Sequence, residues 1–314
     1  MMDVAVDSQL YTKTLGCLVG GLIGDAIGTP TENMAYGDIE AKFGWVDDFE
    51  ADGTDDTVMK NILADALVQT GGYATIDDWG HEWVEQYDEI FGDKVGKFFQ
   101  SVLHTAAKLR RHAVPRMAAL GNMPSSSSAM CISPVGVVNA CNPRAAAMAA
   151  AFAPGATRDS VVDAAVAAIV PLSGAQMRGL VGDCMEVARK TGDFKAFRAA
   201  VYARRDHFCQ RITCDSRETI PLTVALFWLA EGDVERSVTY GANFGRDADT
   251  IASMAGAIAG ALQGIDSIRS DWVDKALRVS ARDQEELARA LVSTALAKMA
   301  RERAALDTLR RLAG

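Results

Sequence analysis

Apolar residues recur every three to four positions along most of the chain, which is the spacing of the buried face of an α-helix. No convincing run of alternating β-branched residues indicates a strand. The pattern is clearest between residues 143 and 264, where Pro, Gly and Asp separate the helical segments. It predicts an all-α fold, with helices over 143–153, 157–170, 174–190, 193–206, 217–231, 233–242 and 248–264.

The first part of the chain combines one unusual helix with loops. Residues 9–28 are apolar but rich in glycine, which predicts a buried helix whose glycines allow close contact with a neighbour. Pro30 ends this helix, and 29–34 is predicted as a loop. The further predictions are an irregular segment over 35–52, a helix from Thr54 to Val68, two amphipathic helices within 76–111 (the second from about Val95), a loop-rich stretch over 112–130 and an amphipathic helix over 282–312.

Neither an internal repeat nor a linker divides the chain, so we predict one compact all-α domain over residues 1–314. Within it we expect a flexible N-terminus over 1–8, a core over 9–264 that carries the functional site, and C-terminal helices over 265–314. The last helix is rich in Ala, Arg and Glu, and either packs on the outside or contacts a partner. Monomer and homodimer therefore both stay open.

The chain is acidic, with a net charge of -9 at 49% hydrophobic and 23% charged residues. This charge argues against nucleic acid or an anionic membrane as the main partner. The six cysteines show no CxxC spacing and are predicted to be reduced thiols of a cytosolic protein. The acidic N-terminus lacks the features of a signal peptide, and no apolar run is long enough to span a membrane. We therefore expect a cytoplasmic protein.

Two clusters of carboxylates and hydroxyls each stand at the start of a predicted helix. The first contains Thr54, Asp55 and Asp56. Oxygen ligands without His or Cys indicate Mg²⁺, Mn²⁺ or Ca²⁺ and argue against Zn²⁺. So many carboxylates could share two cations, provided that the two clusters meet in space. The second cluster contains Asp247, Asp249 and Thr250. The alternative to a shared metal site is that each cluster only caps its own helix.

Two further acidic residues lie in or next to the loop after the glycine-rich helix. Glu32 lies within the loop and is a candidate general base or ligand, or alternatively a surface carboxylate. Asp25 lies in the helix itself, where it either supports the site or pairs with a basic residue. Cys131 has no His near it in sequence, which favours a buried thiol over a nucleophile.

The order of these motifs resembles the ADP-ribosylglycohydrolase family over roughly residues 12–264. The resemblance implies a compact all-α fold and a cleft with two Mg²⁺ (or Mn²⁺) ions. It implies that Thr54, Asp55, Asp56, Asp247, Asp249 and Thr250 are the metal ligands, and it places Glu32 at the family's catalytic or gating glutamate. We predict Glu32, Asp55 and Asp249 as the catalytic residues. The motifs are Gly-Gly-Leu-Ile-Gly-Asp-Ala-Ile-Gly at 20–28 with Glu32, Thr54-Asp55-Asp56-Thr57, Ser133-Pro134-Val135-Gly136, Glu218-Thr219-Ile220-Pro221 and Gly245-Arg246-Asp247-Ala248-Asp249-Thr250.

The chain departs from the family pattern in the residues expected to contact substrate. The family has a Gly-Asn-Gly-like loop followed by Met-Arg, where this chain has serines followed by Met130 and Cys131. The His expected one or two helices later is also missing between Pro143 and Val170. The substrate-contacting wall is thus altered, which makes a smaller ribosyl compound plausible. The predicted substrate-binding residues are Ser126, Ser127, Ser128, Met130 and Gly245.

The leading hypothesis is a Mg²⁺-dependent glycosyl hydrolase that cleaves an N- or O-glycosidic bond at C1 of a ribose in an ADP-ribosyl conjugate. The substrate is then either a small molecule or a protein-linked ribosyl group. The first alternative is an enzyme for a smaller ribosyl compound, such as a nucleoside or an N-ribosylated metabolite. The second is a protein that binds ADP-ribose or a target protein without turnover, as an immunity or sensor protein would.

Overall fold

The computed structural model describes residues 5–92, 98–143 and 147–314, which contain helices and no β-strand. The prediction of an all-α fold is confirmed. The α-helices are α1 (Gln9–Gly28), α2 (Tyr36–Phe43), α3 (Asp55–Gln69), α4 (Ile76–Glu85), α5 (Tyr87–Phe91), α6 (Gln100–Arg110), α7 (Pro115–Ala118), α8 (Ser127–Met130), α9 (Ser133–Val138), α10 (Arg158–Ala168), α11 (Ala175–Thr191), α12 (Phe194–Ala203), α13 (Arg205–Phe208), α14 (Ser216–Leu229), α15 (Val234–Phe244), α16 (Ala248–Gln263), α17 (Ser270–Val279) and α18 (Gln284–Leu312).

Helices α1 and α16 form the centre of the fold and pack against each other along their whole lengths. Glycines make this contact possible, because a Cβ on Gly16 would lie 2.6 Å from the Gly260 carbonyl oxygen, and one on Gly20 would lie 2.5 Å from that of Gly256. A side chain at either position would force the two backbones apart. The glycines of 9–28 therefore provide clearance, as the sequence predicted.

The pairing is antiparallel, and this direction positions the functional site. Early residues of α1 lie against the end of α16, whereas Gly28, at the end of α1, lies against Asp249, in the first turn of α16. Asp25 and the loop with Glu32 are therefore carried to the helix start where Asp247 and Asp249 stand. Residues far apart in the chain meet because two small-residue helix faces match.

Several predicted elements differ from the structure. The segment 35–52 was predicted to be irregular but contains α2, whose Ile39 is buried against the body of the protein. The predicted helix 143–153 is a 3₁₀-helix over Ala147–Phe152, and residues 144–146 lie outside the described part. The predicted helix 193–206 is interrupted at Arg204, so that α12 and α13 are separate.

The remaining differences lie near helix ends. The helix predicted from about Val95 begins at Gln100 in the described part, and Val95 itself falls in the undescribed residues 93–97. Residues 76–91 form two helices, because α4 ends before Gln86. Of the N-terminus predicted to be flexible, residues 1–4 lie outside the described part, while Ser8 caps α1 by accepting the Tyr11 amide at 3.3 Å.

The core also explains several side chains that could have been mistaken for functional groups. Trp79 and Trp83 pack edge to face with ring centroids 5.8 Å apart and belong to the hydrophobic core. Cys131 is fully buried, and burial raises the pKa of its thiol, so the buried-thiol interpretation holds. Among the described helices, none combines the length and apolar character needed to cross a bilayer.

Candidate metal centre

The two acidic clusters meet in one cavity of about 250 Å³. One wall is formed by the start of α3 and another by the start of α16, and the loop after α1 closes the rim. We call this space the cation cavity. The described residues that line it are Glu32, Asn33, Thr54, Asp55, Asp56, Phe98, Phe99, Ser126, Ser127, Met130, Thr213, Cys214, Asp247, Asp249 and Thr250.

Its carboxylates form two overlapping groups that could each hold a cation. One oxygen each from Asp25, Asp56 and Asp249 lies within 4.8 Å of the other two. One oxygen each from Glu32, Asp247 and Asp249 does the same. Asp249 belongs to both groups, so it would contribute to both cation positions.

Asp25 holds the first cluster in place from inside α1. Its fully buried carboxylate accepts hydrogen bonds from the backbone amides of Thr54 and Thr57 at 2.8 and 2.9 Å. It also accepts the two threonine hydroxyls at 2.7 and 2.6 Å. Four donors from one turn fix the start of α3 on α1, and so fix where Asp55 and Asp56 point. Of the two roles considered for Asp25, support of the site is the one that these contacts show.

The site is electrostatically strained without a cation. Burial, with the charge of Asp25 as the next cause, raises the pKa of Asp55 to about 7. Burial, with the charge of Glu32 next, raises the pKa of Asp247 to about 7. The pKa values of Asp56 and Asp249 are raised well above their usual range, again by burial first and then by neighbouring carboxylates. Each group would ionise more readily beside a positive charge.

The described protein groups place no positive charge against these carboxylates. Asp56 Oδ1 and Asp249 Oδ1 are buried and accept no hydrogen bond. The nearby Lys60 ammonium donates to the Leu18 carbonyl at 3.0 Å, and burial lowers its pKa to about 8. Buried carboxylate oxygens without partners are costly unless a cation or donor is supplied. An oxygen-only donor set with orphaned lone pairs therefore fits a hard divalent cation.

Arg246 ties the second cluster to the loop that carries Glu32. It adopts a left-handed backbone conformation, with φ 67°, which turns the chain sharply before Asp247. Its carbonyl accepts the Asn33 amide at 2.6 Å and its amide donates to the Met34 carbonyl at 2.9 Å. Its guanidinium donates to the fully buried Glu218 carboxylate through Nε at 2.7 Å and Nη2 at 2.8 Å. The two backbone hydrogen bonds hold the Glu32 loop beside Asp247, and the ion pair holds the Arg246 side chain.

The predicted substrate-binding residues divide into two sets. Ser126, Ser127 and Met130 line the cation cavity, and Ser126 Oγ donates to Asp247 Oδ2 at 3.2 Å. Ser128 instead lines a neighbouring hollow beside α6, and Gly245 packs against the Met34 carbonyl and Ile39. The structure does not bring these last two into the described lining, because α8 turns Ser128 away from it and Gly245 serves the turn before Arg246.

Sequence reasoning did not single out five of the lining residues. Asn33 follows Glu32 directly, and this adjacency in sequence was the only indication that Asn33 lines the cavity. Phe98, Phe99, Thr213 and Cys214 lie between regular elements, where no periodicity marks a direction. Their approach to the cavity depends on how α6 and α14 pack, which a local pattern does not encode.

The profile of the ADP-ribosylglycohydrolase family matches residues 7–304 of this chain. The chain belongs to the ADP-ribosylglycohydrolase family. It is similar to the uncharacterized protein YegU of Escherichia coli (strain K12), with 28% identity over 94% of this chain and 99% of YegU. A short segment, 13% of this chain and 11% of the other, is 58% identical to ADP-ribosylhydrolase ARH3 of Danio rerio. This membership makes the chain a hydrolase of glycosyl bonds.

Similarity to a solved structure supports the fold alone. The match is to an ADP-ribosylglycohydrolase-related protein complex, with a TM-score of 0.57 and 21% identity. It covers 91% of this chain and 99% of that chain. The overall fold is thus shared at low sequence identity.

The cation-free glycohydrolase should lose stability as the pH rises. The pKa values of Asp55 and Asp247 are about 7 in the folded chain, against roughly 3.9 when unfolded. Between these values the folded state binds more protons than the unfolded state, so the free energy of unfolding falls with increasing pH. Between pH 5 and pH 8 the loss is on the order of a few kcal/mol for the two groups together.

Urea denaturation in EDTA at pH 5 and pH 8 measures the effect, and added Mg²⁺ or Mn²⁺ should reverse the loss at pH 8. Equal stability at both pH values in EDTA would contradict the expectation. Carboxyls with lowered pKa act in the opposite sense, but they titrate below the tested range. They are Asp48, Asp78, Asp215 and Asp271.

Proposed function

We propose that this glycohydrolase requires Mg²⁺ or Mn²⁺ and cleaves the bond at C1 of a ribose in an ADP-ribosyl conjugate. The observation that carries the proposal is the pair of carboxylate groups that share Asp249, one of which includes Glu32. Two cations would be held by Thr54, Asp55, Asp56, Asp247, Asp249 and Thr250. When bound, they would supply Lewis acidity and two adjacent attachment points for the hydroxyls of a ribose.

A protein group supplies the proton transfers of hydrolysis. Glu32 is exposed at the rim of the cavity, so it can accept the proton of a water molecule that attacks C1 and pass that proton to the leaving group as its bond to C1 breaks. Its loop is held by Arg246 and, through the Thr213 hydroxyl, by a 2.6 Å hydrogen bond to the Asn33 amide oxygen. A fixed general base next to a fixed sugar supplies much of the rate acceleration by positioning.

A second candidate substrate is a smaller ribosyl compound, such as a nucleoside. Serines replace the Gly-Asn-Gly-like loop of the family pattern, and Cys131 stands where the pattern has Arg. Among the described lining residues none is Lys, Arg or His, the side chains that usually neutralise a diphosphate. Phe98 and Phe99 instead offer apolar surface for a flat ring.

Product analysis by mass spectrometry separates these candidates. ADP-ribosyl-arginine, ADP-ribosyl-serine and free nucleosides are incubated with the protein in Mg²⁺, Mn²⁺ or EDTA. We expect cation-dependent release of ADP-ribose from one conjugate, and Glu32→Gln should abolish release while cation-induced thermal stabilisation persists. Release of free ribose from nucleosides alone would favour the second candidate. Turnover in EDTA would contradict the proposed cation requirement, and no turnover of any substrate would favour a binding protein.

A further inference from the structure

A second cavity, of about 260 Å³, lies between α10, α11, α14 and α16 and shares no described lining residue with the cation cavity. We call it the apolar cavity. Its described walls are aliphatic or thioether side chains, including Ile132, Met148, Val161 and Ile258, and none of them is charged. Several lining side chains, such as Ile132 and Ile169, are partly exposed, so the cavity opens to solvent. A small molecule can therefore reach its apolar walls from outside.

Among the described lining residues of the apolar cavity, Thr223 is the one with a polar side chain. Thr223 of α14 lines it, is 2% exposed, and its hydroxyl makes no hydrogen bond. A buried hydroxyl without a partner costs free energy, and such groups in native proteins usually meet a ligand or an ordered water. A mostly apolar pocket with a single polar group is the common form of a small-molecule site.

We propose that the apolar cavity binds a neutral, mainly apolar molecule that carries one hydrogen-bonding group, which pairs with the Thr223 hydroxyl. Charged compounds are disfavoured because no described wall residue would compensate their charge. A cavity of ~150 Å³ accommodates benzene, so the present one suits a compound of about ten non-hydrogen atoms. The site is separate from the cation cavity, since the two share no described lining residue.

Isothermal titration calorimetry with three probes of equal size tests the site on the full chain. 2-Phenylethanol carries the required hydroxyl, propylbenzene replaces it with a methyl group, and 2-phenylethylammonium replaces it with a charge. We expect saturable one-to-one binding of the alcohol and none of the ammonium. Absence of saturable alcohol binding, or equal binding of the ammonium, would overturn the proposal.

The variant Thr223→Val keeps the shape of the side chain and removes its hydroxyl. It should lower the preference for 2-phenylethanol over propylbenzene by about fivefold, the effect of one hydrogen bond. Ala165→Trp fills the cavity from α10 and should abolish binding, whereas Ala167→Trp, an exposed position on the same helix, should not. An unchanged preference in Thr223→Val would reject the assignment even if Ala165→Trp failed to fold.

Discussion

Asp249→Asn should remove cation-dependent stabilisation and reduce hydrolysis by at least about 100-fold. The lower limit follows from residues that only support metal ligands, whose loss costs 10–100-fold. Asp249 belongs to both carboxylate groups of the cation cavity, so its replacement weakens both proposed cation positions at once. Asparagine preserves the size of the side chain but removes one of the mutually repelling charges.

The same substitution should not destabilise the cation-free protein at pH 8. Asp249 is 4% exposed, and its Oδ1 atom has no hydrogen-bond partner. Removing the buried carboxylate charge therefore relieves an electrostatic cost. Thermal unfolding in EDTA and in Mn²⁺, together with product assays, distinguishes loss of cation binding from loss of folding. Asp274→Asn on the exposed face of α17 is the matched control and should behave as the wild type. A variant of Asp249 with an intact cation response would refute the proposed ligand role.

Glu218→Gln should destabilise the protein by roughly 3 kcal/mol, because it breaks one side of a buried ion pair. The Glu218 carboxylate is fully buried, and it accepts the Gln210 amide at 2.5 Å in addition to the two donors of Arg246. The guanidinium side chain, only 17% exposed, would keep its charge without a counterion. Removing one partner of such a pair costs more than the pair itself contributes.

The effect should reach the cation cavity, since Arg246 stands directly before Asp247 and exchanges backbone hydrogen bonds with the Glu32 loop. We therefore expect weaker Mn²⁺ binding in Glu218→Gln, measured by calorimetry alongside urea denaturation. Glu186→Gln, at an exposed position on α11, is the matched control. Stability within about 0.5 kcal/mol of the wild type, the range of ordinary surface substitutions, would show that the ion pair is not a structural support.

Much of the fold was predictable because helices are encoded locally. Periodic apolar positions and caps such as Asp193 and Asp233 act within a few residues, so most bounds between 157 and 263 were close to those observed. The segment 35–52 failed because α2 is short and only Ile39 of it is buried, which gives little periodic signal. The stretch 112–130 was predicted as loop-rich and contains α8, which gives no periodic signal because it is a single turn.

The sequence by itself determined which metal-binding groups and which close-packing helix faces the protein has. Carboxylates and hydroxyls at Thr54–Asp56 and Asp247–Thr250 are hard oxygen donors whatever their surroundings, and glycine at 16, 20, 256 and 260 permits close helix contact. Only the tertiary structure decided that these groups meet. The antiparallel packing of α1 on α16 and the four hydrogen bonds to Asp25 carry one cluster to the other. Residue type is a local property, whereas distance across the chain depends on how whole helices pack.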